Sequence, residues 1–283
     1  MKQFLTRSLT GFFFAAITIF LILFNKYTFL LFLLISNTWL TIEFQKIQKL
    51  EKNNGNLILN IIIENIIIFM VFLQYLCYNN NVDFSFVFIF LTIPFIFELY
   101  GKNEINIKKI AISCISYIYI TLPLILCLFI VNANYFKYGD KIFVPIILIA
   151  IFVLIWCNDV FAYLTGCFIF RKKRHLLFER ISPKKSWEGS IGGAIVTLFA
   201  GFIANKIDIL NFLNKYDWLV IAIIVVVAGT WGDLIESMFK RRAGVKDSGK
   251  LLAGHGGLLD RLDSFIFTIP FIFFYLTLKK NFL

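Results

Sequence analysis

The chain has 283 residues, of which 59% are hydrophobic and 16% charged, with 35 phenylalanines and a formal net charge of +11. Because a soluble domain is only about 45–50% apolar, this composition excludes an ordinary soluble fold and indicates a membrane protein. It leaves no soluble domain on which a nucleic-acid site would lie, so we expect no nucleic-acid partner despite the positive charge.

Apolar runs close to the ~20 residues that a helix needs to cross a bilayer recur along the chain. We therefore predict an all-α polytopic integral membrane protein with about nine transmembrane helices. The predicted spans are 8–24, 27–42, 57–77, 83–99, 110–131, 142–160, 190–205, 218–236 and 264–278. Residues 161–170 are also apolar, and they either extend the sixth span or form a second, interfacial helix. The N-terminus resembles a signal peptide but has no clear cleavage site, so we expect a retained first helix.

The positions of the basic residues predict which loops face the cytoplasm. With the N-terminus inside, the cytoplasmic segments hold 21 of the 28 Lys and Arg residues, in agreement with the positive-inside rule. Those segments are 1–7, 43–56, 100–109, 171–189 and 237–263. The C-terminus is then expected on the opposite side of the membrane, and the two most basic loops, 171–189 and 237–263, in the cytoplasm.

The two halves of the chain differ in the placement of polar residues. Residues 1–150 are predicted to be N-terminal transmembrane helices with little chemistry of their own. Glu64 is the exception, since a carboxylate inside a span is a functional hint, but we favour a non-catalytic role for it. Residues 151–283 are predicted to be the catalytic membrane region, with polar groups at cytoplasmic helix ends and in loops. The five cysteines lie in apolar stretches without paired spacing, so we expect neither disulfides nor a cysteine metal site.

The run ISPKKSWEG predicts the start of a helix. Ser182 and Pro183 suit the N-cap and the first helical position. Lys184 and Lys185 would then lie in the first turn, where basic residues are unfavourable unless an anion is bound to the exposed N–H groups. The segment therefore indicates either phosphate recognition or a capped basic loop. Close packing of the following span is favoured by three glycines, Gly189, Gly192 and Gly193.

A polar face is predicted on the eighth span. On a helix, Asp233, Ser237 and Lys240 fall at i, i+4 and i+7 and share one face, with Glu236 at its border. A carboxylate there is costly without partners. Mg²⁺ on Asp233 with Lys240 on a phosphate oxygen would satisfy both groups, and the alternative is an ion-paired helix end. Asp159, in the sixth span, is either a metal- or phosphate-site residue or an interfacial acidic residue.

The most polar stretch is KDSGKLLAGHGGLLDRLD, residues 246–263. Its glycines allow backbone close to a ligand, and its N–H groups can form an anion-binding nest. Asp260 and Asp263, at i and i+3, project from one helix face toward a possible divalent metal. Together with Asp233 they have the composition of a metal-assisted phosphoryl- or nucleotidyl-transfer site. The sequence leaves three roles open for His255. It could contact a phosphate, act as a general acid or base, or have a structural role in the loop.

Residues 237–263 closely resemble the signature of the phosphatidate cytidylyltransferases, also called CDP-diacylglycerol synthases. The matching positions are Ser237, Lys240, Arg241, Lys246, Asp247, Gly249, His255, Gly256, Gly257, Asp260, Arg261 and Asp263. One departure is Ala253, where the family usually has proline. The runs SPKKSWEG and NDVFAYLTG are similar to upstream motifs of the family, so the resemblance covers about 156–270.

The resemblance implies condensation of CTP with phosphatidate to CDP-diacylglycerol and pyrophosphate, at the cytoplasmic face of a bacterial-type inner membrane. It implies Mg²⁺ as cofactor, a second, monovalent cation such as K⁺, and a homodimer. By motif position Asp233, Asp260 and Asp263 are metal ligands, and with Lys240 they are the catalytic residues. The residues assigned to the substrates are Ser182, Lys184, Lys185, Ser237, Arg241, Lys246, Asp247, His255 and Arg261.

Two alternatives stay open at this point. A CTP-dependent lipid kinase of the polyprenol type would release CDP and would need a base for the alcohol, for which His255 or Asp247 are candidates. A transporter using Asp159, Asp233 and Glu236 would require polar groups deep in several helices, and the sequence shows mainly Glu64 at such a depth.

Overall fold

Helices make up most of the chain, as the long apolar runs predict. The computed structural model describes residues 2–48, 54–77, 85–101, 106–132, 143–169, 175–206, 213–251 and 256–282. The helices are α1 (Lys2–Leu23), α2 (Lys26–Ile47), α3 (Asn54–Cys77), α4 (Ser85–Leu99), α5 (Ile107–Ser116), α6 (Leu122–Ile130), α7 (Ile146–Leu164), α8 (Trp187–Lys206), α9 (Lys215–Ala243) and α10 (Leu259–Phe282). A π-helical turn, Tyr117–Thr121, joins α5 to α6, and a second, Thr165–Ile169, follows α7.

Seven helical segments of the described chain are long and apolar enough to cross a membrane. They are Lys26–Ile47, Asn56–Leu76, Ile107–Ile130, Ile146–Cys167, Trp187–Lys206, Lys215–Ala243 and Leu259–Lys280. Two shorter apolar helices, Leu9–Leu23 and Ile89–Leu99, lie where the first and fourth spans were predicted. The prediction of an all-α polytopic membrane protein is therefore confirmed, while the number of spans and the side that each terminus faces stay predictions.

The apolar stretch after the sixth predicted span does not form a separate helix. α7 continues to Leu164 and passes without a break into the π-helical turn Thr165–Ile169. A single continuous helical segment thus accounts for both apolar runs.

The chain divides into two compact units. Unit 1 comprises Met1–Phe143 and Ala243–Arg261, and unit 2 comprises Val144–Arg242 and Leu262–Leu283. The first boundary lies close to the predicted division at 150, but the signature residues 243–261 belong with the N-terminal helices. The assignment of catalysis to one half of the chain stays a prediction.

In unit 1, each of the helices α1 to α4 packs against the next along the chain, and α6 packs against α3. α2 begins at the N-cap Asn25, whose side chain accepts the N–H groups of Tyr27 and Thr28 at 2.8 and 2.9 Å. Leu33 and Leu40 on this helix are completely buried. α2 therefore contributes to the core of unit 1 along much of its length.

Glu64 lies at the centre of a buried polar cluster in unit 1. Its carboxylate accepts hydrogen bonds from Ser116 at 2.6 Å, from Asn37 at 3.3 Å and from Thr41. These donors lie on α2 and α5, while Glu64 lies on α3. Because the acceptor and its donors satisfy one another inside the apolar core, the cluster joins three helices, and this arrangement gives Glu64 a structural role.

In unit 2, α7 packs closely along α8. A Cβ atom at Gly193 would lie only 2.7 Å from the carbonyl oxygen of Asn158, so the helices meet where the side chain is missing. The close packing predicted from the glycines of this span is confirmed. Before α8 lies a hairpin in which β1 (Leu176–Phe178) pairs antiparallel with β2 (Ser182–Ser186).

The predicted helix start at Ser182 and Pro183 is wrong. Residues 182–186 form β2, and α8 begins at Trp187. The cap is provided by Ser186, whose Oγ accepts the N–H of Gly189 at 3.2 Å. Because β2 is paired with β1, Lys184 and Lys185 extend from a strand, and the argument for an anion at a helix start does not apply to them.

Candidate active site

The predicted site residues fall into two groups, one in each unit. Unit 2 holds Ser182, Lys184, Lys185, Asp233, Ser237, Lys240, Arg241 and Asp263, and unit 1 holds Lys246, Asp247, Asp260 and Arg261. His255 lies outside the described residues, as does Ala253.

Asp233 links α9 to the hairpin of unit 2. Its Oδ1 accepts a hydrogen bond from Ser237 Oγ, one turn later, at 3.3 Å. Its Oδ2 lies 2.6 Å from the Nζ of Lys185. Lys185 lies beside Asp233 because β2, which carries it, runs toward α8. The predicted shared face of Asp233 and Ser237 is confirmed, and the Asp233 carboxylate is neutralised by a lysine that the sequence assigned to a substrate phosphate.

The basic residues at the end of α9 also have partners within unit 2. Lys240 forms an ion pair with Glu236, one turn before it, and both side chains are buried. Arg241 is exposed, and its Nε donates to the carbonyl oxygen of Ile181 in the turn of the hairpin at 3.3 Å. The hairpin is thus attached to α9 through Arg241 as well as Lys185.

Asp263 brings a further negative charge into unit 2. It is 9% exposed, and its Oδ1 accepts the N–H of Ser264 at 2.7 Å. Its carboxylate interacts electrostatically with those of Asp233 and Asp159 and with the ammonium group of Lys240. Asp159 itself is exposed. Three carboxylates and two lysines of unit 2 therefore influence one another, an arrangement that can hold positive charge and anionic oxygens together.

In unit 1, the signature loop, which we define as the described residues 244–251 and 256–258, folds onto Asp260. The Oδ2 of Asp260 accepts the N–H of Ser248 at 2.9 Å, the Oγ–H of Ser248 at 3.0 Å and the N–H of Gly257 at 2.7 Å. Gly256 has φ +84°, and a Cβ there would overlap the same carboxylate oxygen, so glycine is required. Two of the N–H groups that the sequence suggested for a phosphate nest, those of Ser248 and Gly257, are therefore directed at a carboxylate of the protein.

Glu43, which sequence analysis did not single out, contacts the same loop from α2. The side chain is 4% exposed. Its carboxylate accepts the N–H groups of Leu258 and Leu259 at 3.0 and 2.8 Å and the hydroxyl of Ser248 at 2.9 Å. Acidic residues are common at the edges of cytoplasmic segments, so nothing near Glu43 in the sequence marks it as functional. Its contact residues lie 205 or more positions later, and no local pattern predicts such a contact.

Several predicted substrate residues have exposed side chains. These are Lys184, Arg241, Lys246, Asp247 and Arg261, while Ser182 is partly buried. Long basic side chains at the surface can reach a soluble anion. Their placement fits the predicted role in substrate binding without testing it.

The predicted metal centre requires carboxylates that lie close enough together to hold one ion. Within the described ranges, no group of three His, Cys, Asp or Glu side chains is spaced to hold a metal ion. Asp233, Asp260 and Asp263 nevertheless offer carboxylate oxygens, the ligand type that Mg²⁺ prefers. The donor chemistry therefore fits the metal, and the centre stays a prediction.

Comparison with known proteins gives one family. A family model described as "Cytidylyltransferase family" matches residues 5–279. Proteins named phosphatidate cytidylyltransferase are similar to this chain. The one from Haemophilus influenzae is 39% identical over 132 residues, which cover 46% of this chain and 45% of that protein. The one from Staphylococcus haemolyticus is 44% identical over 121 residues (43% and 45%), and the one from Bacillus subtilis 43% over 126 residues (44% and 45%). Each match thus spans less than half of the relative's length.

Proposed function

This chain belongs to the cytidylyltransferase family, and from that premise we propose that it condenses CTP with phosphatidate to give CDP-diacylglycerol and pyrophosphate. One observation carries the proposal: the family match over residues 5–279 includes the signature run 237–263, with its lysines and aspartates in place. The relatives named phosphatidate cytidylyltransferase support the choice of substrates.

The reaction needs charge and position more than proton transfer. An oxygen of the lipid phosphate attacks the α-phosphorus of CTP, the bond from that phosphorus to the bridging oxygen breaks, and pyrophosphate leaves with the electron pair. Because the attacking phosphate is already an anion, no strong general base is required. The work of catalysis is then to hold two anions together and to stabilise the charge on the leaving group.

The basic side chains would supply that stabilisation. We assign the substrate phosphates to Ser182, Lys184, Lys185, Ser237, Arg241, Lys246, Asp247, His255 and Arg261, and a catalytic role to Lys240. Lys185 and Lys240 already sit beside carboxylates of unit 2, at Asp233 and Glu236. An incoming phosphate would draw these ammonium groups from carboxylate to phosphate oxygens, where charge-assisted hydrogen bonds hold it.

Mg²⁺ is the proposed cofactor. By the resemblance, Asp233, Asp260 and Asp263 are its ligands, and the bound ion would neutralise phosphate charge. The electrostatic interaction of Asp263 with Asp233 and Asp159 supports a cation near unit 2. A monovalent cation such as K⁺, a homodimer, and an active site at the cytoplasmic face of an inner membrane belong to the same proposal.

Identification of the products tests the function directly. The full chain, purified in detergent, is incubated with radiolabelled CTP and phosphatidate, with and without Mg²⁺. We expect labelled CDP-diacylglycerol and pyrophosphate, loss of both on chelation, and recovery when Mg²⁺ is returned. In a parallel incubation with a polyprenol in place of phosphatidate, release of CDP with phosphorylation of the polyprenol would instead identify a lipid kinase and overturn the proposal.

Two aspartates on one helix provide a matched pair of variants. Asp233→Asn is expected to remove most of the turnover. Asp217→Asn makes the same change 16 residues earlier on α9, about 24 Å away along the helix axis. Asp217 accepts from Tyr275 at 2.6 Å and pairs with Lys279, so its variant should keep its turnover at temperatures where the protein stays folded. Equal turnover in the two variants would refute the assignment of Asp233.

A further inference from the structure

Glu43 fills the space left by two glycines of the signature loop. A Cβ atom at Gly249 would overlap Glu43 Oε1 and would lie 2.8 Å from Glu43 Cδ. A Cβ at Gly257 would overlap both Glu43 Oε2 and Ser248 Oγ. The missing side chains at these two positions are therefore matched to a carboxylate that comes from α2.

The same carboxylate caps the first turn of α10. The first N–H groups of a helix have no acceptor within it, and a negative charge beside them is stabilised by the helix dipole. Glu43 accepts the N–H groups of Leu258 and Leu259, where α10 begins. The start of the helix that carries Asp260 is thus fixed by a residue from the N-terminal region.

Ser248 connects Glu43 to Asp260. Its Oγ lies 2.9 Å from Glu43 Oε2 and 3.0 Å from Asp260 Oδ2. A hydroxyl has one hydrogen to donate, so the two carboxylates compete for it across a single side chain. A change at Glu43 alters the hydrogen bonding of Asp260 through Ser248 as well as through the first turn of α10.

We propose that Glu43 is a positioning residue of the active site. It holds Ser248 and the beginning of α10 so that the Asp260 carboxylate keeps one orientation. The catalytic consequence rests on the proposed function, in which Asp260 is a metal ligand. The structural consequence, an ordered signature loop that depends on Glu43, does not rest on it.

The first test exchanges the carboxylate for an amide. Glu43→Gln keeps the size of the side chain but turns an amide NH₂ toward groups that are themselves donors. We expect kcat to fall about 10–100-fold, with the KM for CTP little changed and a higher Mg²⁺ concentration needed for half-maximal rate. Glu64→Gln is the matched control, because Glu64 is also buried in unit 1 and its side-chain donors lie on α2 and α5. It should keep the wild-type kcat and Mg²⁺ dependence.

The second test does not use activity. Amide hydrogen exchange of the full chain in detergent, followed by mass spectrometry, reports on peptides that cover 246–260. We expect faster exchange there in Glu43→Gln than in the wild type, and no change in Glu64→Gln. Unchanged exchange in Glu43→Gln would overturn the positioning role whatever the substrates are. Faster exchange in a protein whose wild type makes no CDP-diacylglycerol would overturn the proposed function alone.

The third test uses the fit between Glu43 and Gly249. Gly249→Ala should speed exchange of the same peptides in the wild type, because the new methyl group meets the carboxylate. In a Glu43→Ala background the same change should have little further effect. Where neither Gln nor Ala at position 43 yields folded protein, Glu43→Asp serves, since it keeps the charge and withdraws the carboxylate by one methylene. Gly249→Ala must then be less harmful in the Glu43→Asp background than in the wild type, and equal harm in both backgrounds refutes the contact.

Discussion

Substituting Gly232 by alanine should misplace Asp233, the next residue on α9. A Cβ at 232 would lie 2.6 Å from the carbonyl oxygen of Asp263 and 2.8 Å from Phe267 Cβ. Ordinary contact begins at 3.4 Å, so the methyl group is 0.8 and 0.6 Å too close to α10. The obstructing atoms belong to the backbone and to a Cβ, which cannot rotate away, and the two helices must therefore shift by several tenths of an ångström.

The size of the effect follows from that overlap. Overpacking of this kind destabilises a protein by about 1–3 kcal/mol. A displacement of reacting groups by about 1 Å reduces turnover about 100-fold, so Gly232→Ala should lose activity out of proportion to its loss of stability. The assay is CDP-diacylglycerol formation by purified protein, together with its unfolding midpoint in detergent.

Gly229, one turn earlier on α9, provides the control. A Cβ there would meet Thr268 Oγ1 at 3.6 Å and Ser264 Cβ at 3.7 Å, which are ordinary contacts. Alanine is favoured over glycine within a helix by about 1 kcal/mol, so Gly229→Ala should be as active as the wild type and no less stable. The reasoning is refuted by a Gly232→Ala protein with wild-type turnover and midpoint, or by a Gly229→Ala protein that fails as severely.

Three further substitutions separate stability from activity. Lys185→Met removes the 2.6 Å pair with Asp233, whose partners are 25% and 32% exposed. The free energy of unfolding should therefore fall by no more than about 1 kcal/mol. Turnover should fall at least about 10-fold, because one charged contact to a substrate phosphate is lost. Wild-type turnover would contradict the assignment of Lys185 to the substrate. Ser116→Ala removes the 2.6 Å hydrogen bond to Glu64. It should lower the free energy of unfolding by about 1–3 kcal/mol and leave kcat unchanged. A change in kcat alone would count against the structural role of Glu64. Asp217→Asn weakens the contacts to Tyr275 and Lys279 and should lower the unfolding midpoint, which a thermal scan in detergent measures.

Features that depend on nearby residues were predictable from the sequence. The spans follow from uninterrupted apolar runs, because runs of this length and hydrophobicity are those that cross a bilayer. The contact of Asp233 with Ser237 follows from helix periodicity alone, because four residues bring a side chain back to the same face. The close approach at Gly193 follows from the absence of a side chain there.

Features that depend on distant residues were not predictable in this way. Ser182 followed by Pro183 suits a helix start as well as the start of an edge strand. The deciding factor is the pairing of Ser182 with Phe178, which no local pattern encodes. The contact of Glu43 with Leu258 joins positions 215 apart in the sequence, and an aspartate whose oxygen accepts three loop donors looks, in the sequence, the same as one that awaits a metal.

In both units, charged residues of the candidate site already have hydrogen-bond or ion-pair partners within the protein. In unit 2, Lys185 neutralises Asp233, and Lys240 pairs with Glu236. In unit 1, Asp260 accepts donors of the signature loop. A carboxylate or an ammonium group near the membrane boundary would be costly without such partners. Under the proposed function, binding of anionic substrates and a cation would be an exchange of partners, in which lysines move to phosphate oxygens and the cation binds the carboxylates. Affinity for the nucleotide and affinity for the cation should then rise together, since each ligand releases the partner that the other requires.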